Sequence, residues 1–126
     1  MKREIRNKLI EQARLKTTIS LKQLNQDLFY GFHISSNAHN QIVEEILAEI
    51  SLHEHSKKRP LLSAMIKEKR GFEIKKSRSF AKLCKNIFGI NMEQLKKNPS
   101  FEKEKLNECI NFWKEDTNYH QHKDDY

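Results

Sequence analysis

Five aliphatic residues recur at helical spacing between Ala38 and His53, and no other feature of the sequence constrains the fold as strongly. They are Ile42, Val43, Ile46, Leu47 and Ile50. This spacing places them on one face of an α-helix, which a core must cover. The chain has only three glycines and two prolines, too few for a fold built on many tight turns. The sequence therefore predicts a mainly α-helical protein, and 126 residues suit one domain with its own core.

Further helices are predicted on both sides of this segment from their own apolar stripes. They cover about residues 2–15, 21–28, 80–88 and those that follow Pro99. Ser20 fits the N-cap of the second helix, and Gln23 three residues later fits a capping box. The last residues lack a periodic apolar pattern. We therefore expect a single domain over residues 1–118 and a flexible C-terminal tail over residues 119–126.

One stretch, RPLLSAMIKEKRGFEI at residues 59–74, predicts a β-hairpin instead of a helix. Leu62, Ala64 and Ile66 alternate with Ser63 in the two-residue period of a strand, which would leave the serine hydroxyl at the surface. The glycine at position 71 supplies a turn before a returning strand. Helices followed by a hairpin are the order of elements in a winged helix-turn-helix. The expected fold is thus mainly α with a small β-hairpin (α+β), a winged-helix-like single domain.

Basic residues are concentrated in the same part of the chain. Residues 57–85 contain eleven lysines and arginines against two glutamates, a net charge of +9, although the whole chain carries only +7. Residues 1–16 carry a further +4, so the rest of the chain is acidic overall. Clustered Lys and Arg neutralise phosphates and release counterions, so this distribution indicates nucleic-acid binding. A basic surface that only aids solubility is the alternative interpretation.

The predicted nucleic-acid contacts form two groups. Phosphate contacts are predicted for the basic residues of the hairpin and its flanks, which are Arg59, Lys67, Lys69, Arg70, Lys75, Lys76 and Arg78. Base-edge contacts are predicted at the start of the long helix, in the position of a recognition helix, for Asn37, His39 and Asn40. That helix also carries Glu44, Glu45 and Glu49, which would repel phosphate. The hairpin and the N-terminal arm, the basic residues 1–16, are therefore favoured over the helix as the binding surface.

Four short motifs occur in a fixed order along the chain. They are RPLLSA at residues 59–64, Gly71-Phe72, a short helix ending at Gly89, and Phe112-Trp113. In this order they resemble an uncharacterised family of small bacterial and phage-borne proteins, with the loop before Gly71 shorter here. The resemblance implies a shared fold unit. It implies no activity. Small, single-domain chains rich in Lys and Asn are common on mobile elements, so a gene carried by a mobile element or defence locus is expected.

No pattern in the sequence indicates catalysis, a cofactor or a bound metal. Residues 17–19 are β-branched and predict a short strand just before the second predicted helix. This order is faintly similar to the DNA-binding domain of alkylguanine alkyltransferases, but Cys84 lacks the Pro and His of their reactive motif. His53 and His55 point apart on a helix and have no further ligand at zinc-site spacing. Ser63 lacks the flanking glycines of a nucleophile elbow. We therefore expect a protein that is not an enzyme and that holds no cofactor or metal.

The favoured function is non-catalytic binding of nucleic acid, DNA more than RNA, through phosphate contacts. The alternative is a protein-binding immunity, antitoxin or anti-defence module whose basic face docks an acidic partner. Phe29, Tyr30 and Phe32 are interpreted as a secondary core patch or as the contact of a homodimer. No apolar run suits a signal peptide or a membrane span, and two cysteines make no disulfide framework, so a cytoplasmic bacterial protein without membrane contact is expected.

Overall fold

The computed structural model describes residues 2–28, 37–66 and 78–126, and helices dominate these three stretches. The helices are α1 (Lys2–Arg14), α2 (Leu21–Leu28), α3 (Asn37–Ser56), a 3-10 helix (Leu62–Met65), α4 (Arg78–Phe88), α5 (Met92–Lys97), α6 (Pro99–Trp113) and α7 (Asp116–His122). None of the helices in these stretches is long and apolar enough to cross a bilayer.

Helix α3 turns its aliphatic face into the core, and the prediction of a long helix in this part of the chain is confirmed. Val43, Leu47 and Ile50 are buried, whereas Ile42 lies at the edge of the stripe and is half exposed. The helix packs against α1, α4 and the 3-10 helix. The periodic pattern predicts this element well because it depends only on residues three and four positions apart.

The predicted β-hairpin is wrong in the part that the structure describes. Residues Leu62–Met65 form a 3-10 helix, and the three described stretches contain no β-strand. The extended contact found there is an isolated parallel bridge between Ile19 and Ile66, with the Ile19 N–H donating to the Met65 carbonyl at 3.0 Å. Residues 67–77, which would complete the hairpin, lie outside the described residues. The winged-helix-like architecture is therefore corrected to a helical one.

Burial on all sides explains why this segment is not a strand. Every residue from Leu61 to Ile66 is buried, whereas a strand at the surface of a domain leaves alternate side chains exposed. A 3-10 helix instead distributes three side chains per turn around its axis. Helices α1, α3 and α6 surround the segment and cover these side chains. The hydroxyl of Ser63, expected at the surface, accepts a hydrogen bond from the Ser51 hydroxyl at 2.7 Å inside the core.

Ser20 caps helix α2, as its position before Leu21 predicts. Its hydroxyl oxygen accepts a hydrogen bond from the Gln23 N–H at 3.0 Å. The Gln23 side chain donates to Asp27 at 2.7 Å instead of reaching back to close the capping box.

We expect Ser20→Ala to lower the free energy of unfolding by about 1 kcal/mol, because the amide of Gln23 loses its acceptor at the start of α2. Ser20→Thr keeps the hydroxyl and is the matched control, which should retain most of this energy. Urea denaturation followed by circular dichroism measures both variants. Equal losses in the two variants would show that packing around Ser20, and not the cap, sets its contribution.

The first four residues of the expected tail, residues 119–122, instead belong to helix α7, which packs on the domain. Helix α7 (Asp116–His122) has no buried side chain, and polar contacts hold it against α1. The Arg14 guanidinium bonds Asp116 at 2.7 Å, and the Tyr119 hydroxyl donates to Glu11 at 2.8 Å. The segment lacks an apolar stripe because its contacts are polar, so apolar periodicity gives no sign of this helix.

Both cysteines are buried free thiols, as expected from their positions on apolar stripes. Burial raises the pKa of the Cys84 thiol to about 11. Burial raises the pKa of Cys109, on α6, further still, and the charge of Glu54 adds to this effect. A raised pKa leaves little reactive thiolate near neutral pH, so both side chains act as small hydrophobic groups in the core.

Candidate functional site

Two arginines and a glutamate from separate parts of the chain form a buried group, which we call the arginine–glutamate cluster. Arg6 lies on α1, Glu54 lies in the last turn of α3 and Arg59 follows that helix; they are 1%, 0% and 5% exposed. One carboxylate oxygen of Glu54 accepts from Arg6 Nη2 at 3.1 Å. The other accepts from Arg59 Nε at 3.0 Å and also from Arg59 Nη2. Charges this deeply buried are tolerated only when they are paired in this way.

The backbone at the end of α3 folds Arg59 back onto Glu54. Lys58 takes the left-handed conformation with φ of 61°. The Lys58 N–H then donates to the His55 carbonyl at 2.9 Å and the Arg59 N–H to the Glu54 carbonyl at 2.8 Å. These two bonds are the Schellman arrangement that ends many helices. An apolar contact often accompanies this motif; here the ion pair between Arg59 and Glu54 occupies that position.

The end of helix α7 supplies the remaining acceptors of the cluster. Arg59 donates to the Asp125 carboxylate at 2.7 Å and to the Asp125 carbonyl at 3.0 Å. Arg6 donates to the carbonyl of His122 at 2.9 Å and to that of Lys123. Carbonyl groups at a helix C-terminus carry partial negative charge, which suits a cation. The two guanidinium groups thus face two carboxylates and three backbone carbonyls.

Arg59 and Asp125 shift each other's protonation in the direction that keeps both ionised. The hydrogen bond from Arg59 lowers the pKa of Asp125 below its ordinary value of 3.8, and the charges of Lys57 and His53 add to this. Burial opposes the charge of Arg59, but its bonds to Glu54 and Asp125 outweigh that effect and raise its pKa.

Asp125→Asn should reduce the stability of the protein at neutral pH but not in strong acid. A carboxylate whose pKa is lowered on folding stabilises the folded state above its ordinary pKa of 3.8. That contribution is lost as the pH falls through the lowered value. We therefore expect the difference in thermal midpoint between wild type and variant to be full above about pH 4 and to shrink as the pH falls further. Asp124→Asn is the control, and an Asp125→Asn difference that is unchanged down to about pH 2 would contradict the interaction.

The structure places the predicted contact residues in different surroundings. Arg59, expected on an exposed wing, is buried and bound to two carboxylates. Arg78 is the first residue of α4, while Asn37, His39 and Asn40 lie in the first turn of α3. Five predicted phosphate contacts and the aromatic patch lie outside the described residues, namely Lys67, Lys69, Arg70, Lys75, Lys76, Phe29, Tyr30 and Phe32.

Lys57 and Lys58 are exposed at the end of α3 and form no ion pair within residues 2–28, 37–66 and 78–126. Several cations elsewhere are neutralised by carboxylates, in the pairs Lys2–Glu49, Lys8–Asp27, Arg14–Asp116, Lys97–Glu93 and Lys105–Glu108. Within the described stretches, no group of three or more His, Cys, Asp or Glu side chains is arranged to hold a metal ion. The end of α3 therefore presents two exposed cations, Lys57 and Lys58, to solvent.

Sequence reasoning missed the arginine–glutamate cluster, although two of its members carried a signal. Arg6 lies within the apolar stripe of α1 between Ile5 and Leu9, and Glu54 continues the stripe of α3 four residues after Ile50. A charge on a buried stripe requires a partner.

Comparisons of the chain with protein-family models, with curated proteins and with solved structures find no match.

Proposed function

We propose that this protein binds nucleic acid without catalysis, through phosphate contacts made by the basic region of residues 57–85. The observation that carries the proposal is the charge distribution, because this region holds +9 while the whole chain holds +7. Lys57 and Lys58 begin the region as exposed cations without an ion pair in the described stretches. Such cations release counterions when they meet a phosphate backbone.

Arg59 is not among the proposed free contacts while its guanidinium binds Glu54 and Asp125. The proposed contacts are Lys57, Lys58, Lys67, Lys69, Arg70, Lys75, Lys76, Arg78 and Lys85. Glu45 is exposed on α3 and would repel phosphate, and Glu49 is already paired with Lys2, so that helix is not proposed to enter a groove. Binding that depends mainly on the phosphate backbone should show little sequence preference.

The test is the anisotropy of a fluorescent DNA duplex, and of an RNA of equal length, titrated with the protein at several salt concentrations. We expect a dissociation constant of about 1 to 100 μM near physiological salt, and a slope of about −0.9 per phosphate neutralised. Lys57→Gln/Lys58→Gln should make the slope shallower by up to about 2. Replacing Lys69, Arg70, Lys75 and Lys76 by alanine should weaken binding further.

Lys22→Gln/Lys103→Gln is the matched control, because it removes two charges from exposed lysines outside residues 57–85 and outside the basic residues 1–16. The control should bind as the wild type does. Absence of duplex and RNA binding by the wild type at low salt would overturn the proposal, as would equal losses in both double variants.

A protein-binding role is the second candidate, favoured by one exposed face of α3. Ile42 and Leu52 are 51% and 52% exposed, and helical spacing puts them on the same side as Glu45 and Glu49. Apolar residues rimmed by charge suit a protein surface better than a phosphate backbone. Light scattering over a range of concentrations tests the homodimer version, in which Ile42→Ser/Leu52→Ser should lower the measured mass.

A further inference from the structure

Helix α7 and the residues after it are attached to the domain mainly by polar contacts. None of the side chains of α7 is buried. Apart from Tyr119, which packs partly buried against the core, its attachments are hydrogen bonds, ion pairs and ring contacts. Examples are the His122 ring stacked 5.7 Å from that of Phe112 and the Asn118 amide donating to the Phe112 carbonyl at 3.0 Å. Elements with few buried apolar contacts open at a lower free energy than the core does. The C-terminal segment, residues 116–126, is therefore suited to leave the domain without unfolding it.

The C-terminal segment covers a cationic site. Without Asp125, the two guanidinium groups of Arg6 and Arg59 would face Glu54 as their buried carboxylate, with a net charge of +1. Asp125 binds the outer edge of Arg59, and its side chain is 48% exposed where that of Arg59 is 3% exposed. An anion that replaced the Asp125 carboxylate could thus approach Arg59 from solvent.

Other basic groups surround the same position. His53 Nε2 lies 3.4 Å from the Asp125 carbonyl, and the charge of Lys57 acts on the Asp125 carboxylate. His122 Nδ1 also lies 3.5 Å from Arg59 Nη1, but His122 belongs to the C-terminal segment and leaves with it. These groups adjoin the first residues of the +9 region, where the proposed function needs its contacts. An acidic side chain held there lowers the positive potential that a phosphate backbone would meet.

We propose that Asp125 is an intramolecular competitor of nucleic acid, whose carboxylate fills a phosphate-binding position at the outer edge of Arg59. This inference rests on the proposed function. Arginine binds carboxylate and phosphate through the same charge-assisted hydrogen bonds, so one anion can replace the other. A phosphate that takes this position displaces Asp125 and releases the C-terminal segment. Arg6 and Arg59 keep their bonds to Glu54 in both states, while water replaces the carbonyls of His122 and Lys123 as acceptors for Arg6.

The test compares Asp125→Asn with Asp124→Asn in duplex binding at several salt concentrations. The two variants remove the same charge from adjacent residues of the same segment, but of these two carboxylates only that of Asp125 bonds Arg59 in the described structure. We expect Asp125→Asn to bind the duplex about three- to tenfold more tightly than Asp124→Asn, since one charge-assisted contact becomes free. Its salt slope should be steeper by about 0.9, the value for one additional phosphate.

Amide hydrogen exchange of the wild type with and without the duplex gives an independent measurement. Release of the C-terminal segment predicts faster exchange in residues 116–126 when the duplex is bound. If the wild type binds but the two variants bind equally, or if residues 116–126 stay as protected as before, the competitor role is overturned and the proposed function stands. If the wild type and both variants fail to bind at low salt, the proposed function is overturned and the competitor role with it.

Discussion

Glu54→Gln should lower the free energy of unfolding by about 3 to 5 kcal/mol, a large fraction of the stability of a domain of this size. The Glu54 side chain is fully buried and bridges Arg6 and Arg59. Glutamine keeps the size of the side chain but removes its charge. The variant therefore leaves two buried guanidinium groups with too little negative charge, which costs far more than the loss of an exposed ion pair.

The control replaces the whole cluster with apolar residues of similar volume, as Arg6→Met/Glu54→Leu/Arg59→Met. Buried ion pairs replaced in this way often cost nothing or even stabilise, because the desolvation penalty is removed together with the attraction. We expect the triple variant to be more stable than Glu54→Gln. Urea denaturation with comparison of m-values measures both. A loss of less than about 1 kcal/mol in Glu54→Gln would mean that the cluster behaves like a solvent-exposed pair.

Local signals in the sequence predict those elements whose formation depends on near neighbours. The stripe of α3 and the Ser20 cap of α2 are both read from residues within four positions of one another, and both are present in the structure. The end of α3 is also local in origin, since Pro60 follows the Schellman motif closely. Its left-handed residue is Lys58, however, and a lysine gives no sign of that conformation.

The segment after Pro60 shows where local signals fail. A short apolar run such as residues 61–66 fits a strand or a buried helical turn equally well, because periodicity cannot separate the two. Packing against α1, α3 and α6, which cover the segment on all sides, favours the helical turn over the strand. Ser63 alternates with its apolar neighbours, and this suggested a polar outer face. In the structure the Ser63 hydroxyl instead lies inside the core, where it accepts a hydrogen bond from the Ser51 hydroxyl.

The candidate site depends on contacts between residues that are far apart in sequence. Arg6 and Glu54 are 48 positions apart, and Arg59 and Asp125 are 66 apart. The buried stripes of α1 and α3 indicate that each of the first two charges needs a partner, but not which partner. Asp125 lies among polar residues that resemble a solvated tail, so nothing in the sequence distinguishes it from Asp124. The net charge of +9 in residues 57–85, by contrast, can be counted directly from the sequence.

Trp113→Ala should also cost about 3 to 5 kcal/mol, because it removes the largest fully buried side chain of the described residues. Trp113 ends α6, and its carbonyl accepts a hydrogen bond from Arg14 at 3.0 Å. The Arg6 guanidinium carbon lies 5.7 Å from the centroid of the indole ring, and the Phe112 ring packs edge-on at 5.0 Å. Alanine would leave a cavity beneath the arginine–glutamate cluster and remove the cation–π contact with Arg6.

Trp113→Phe distinguishes the packing of the ring from its polar group. The buried indole N–H finds no hydrogen-bond acceptor within the described residues, so its removal breaks no hydrogen bond. Phenylalanine keeps an aromatic face for Arg6 and much of the volume, and we expect it to cost about 1 to 2 kcal/mol, less than half the alanine loss. Thermal and urea unfolding of both variants measure the difference. Equal losses would show that the full indole shape, and not an aromatic ring as such, holds α6 against α1.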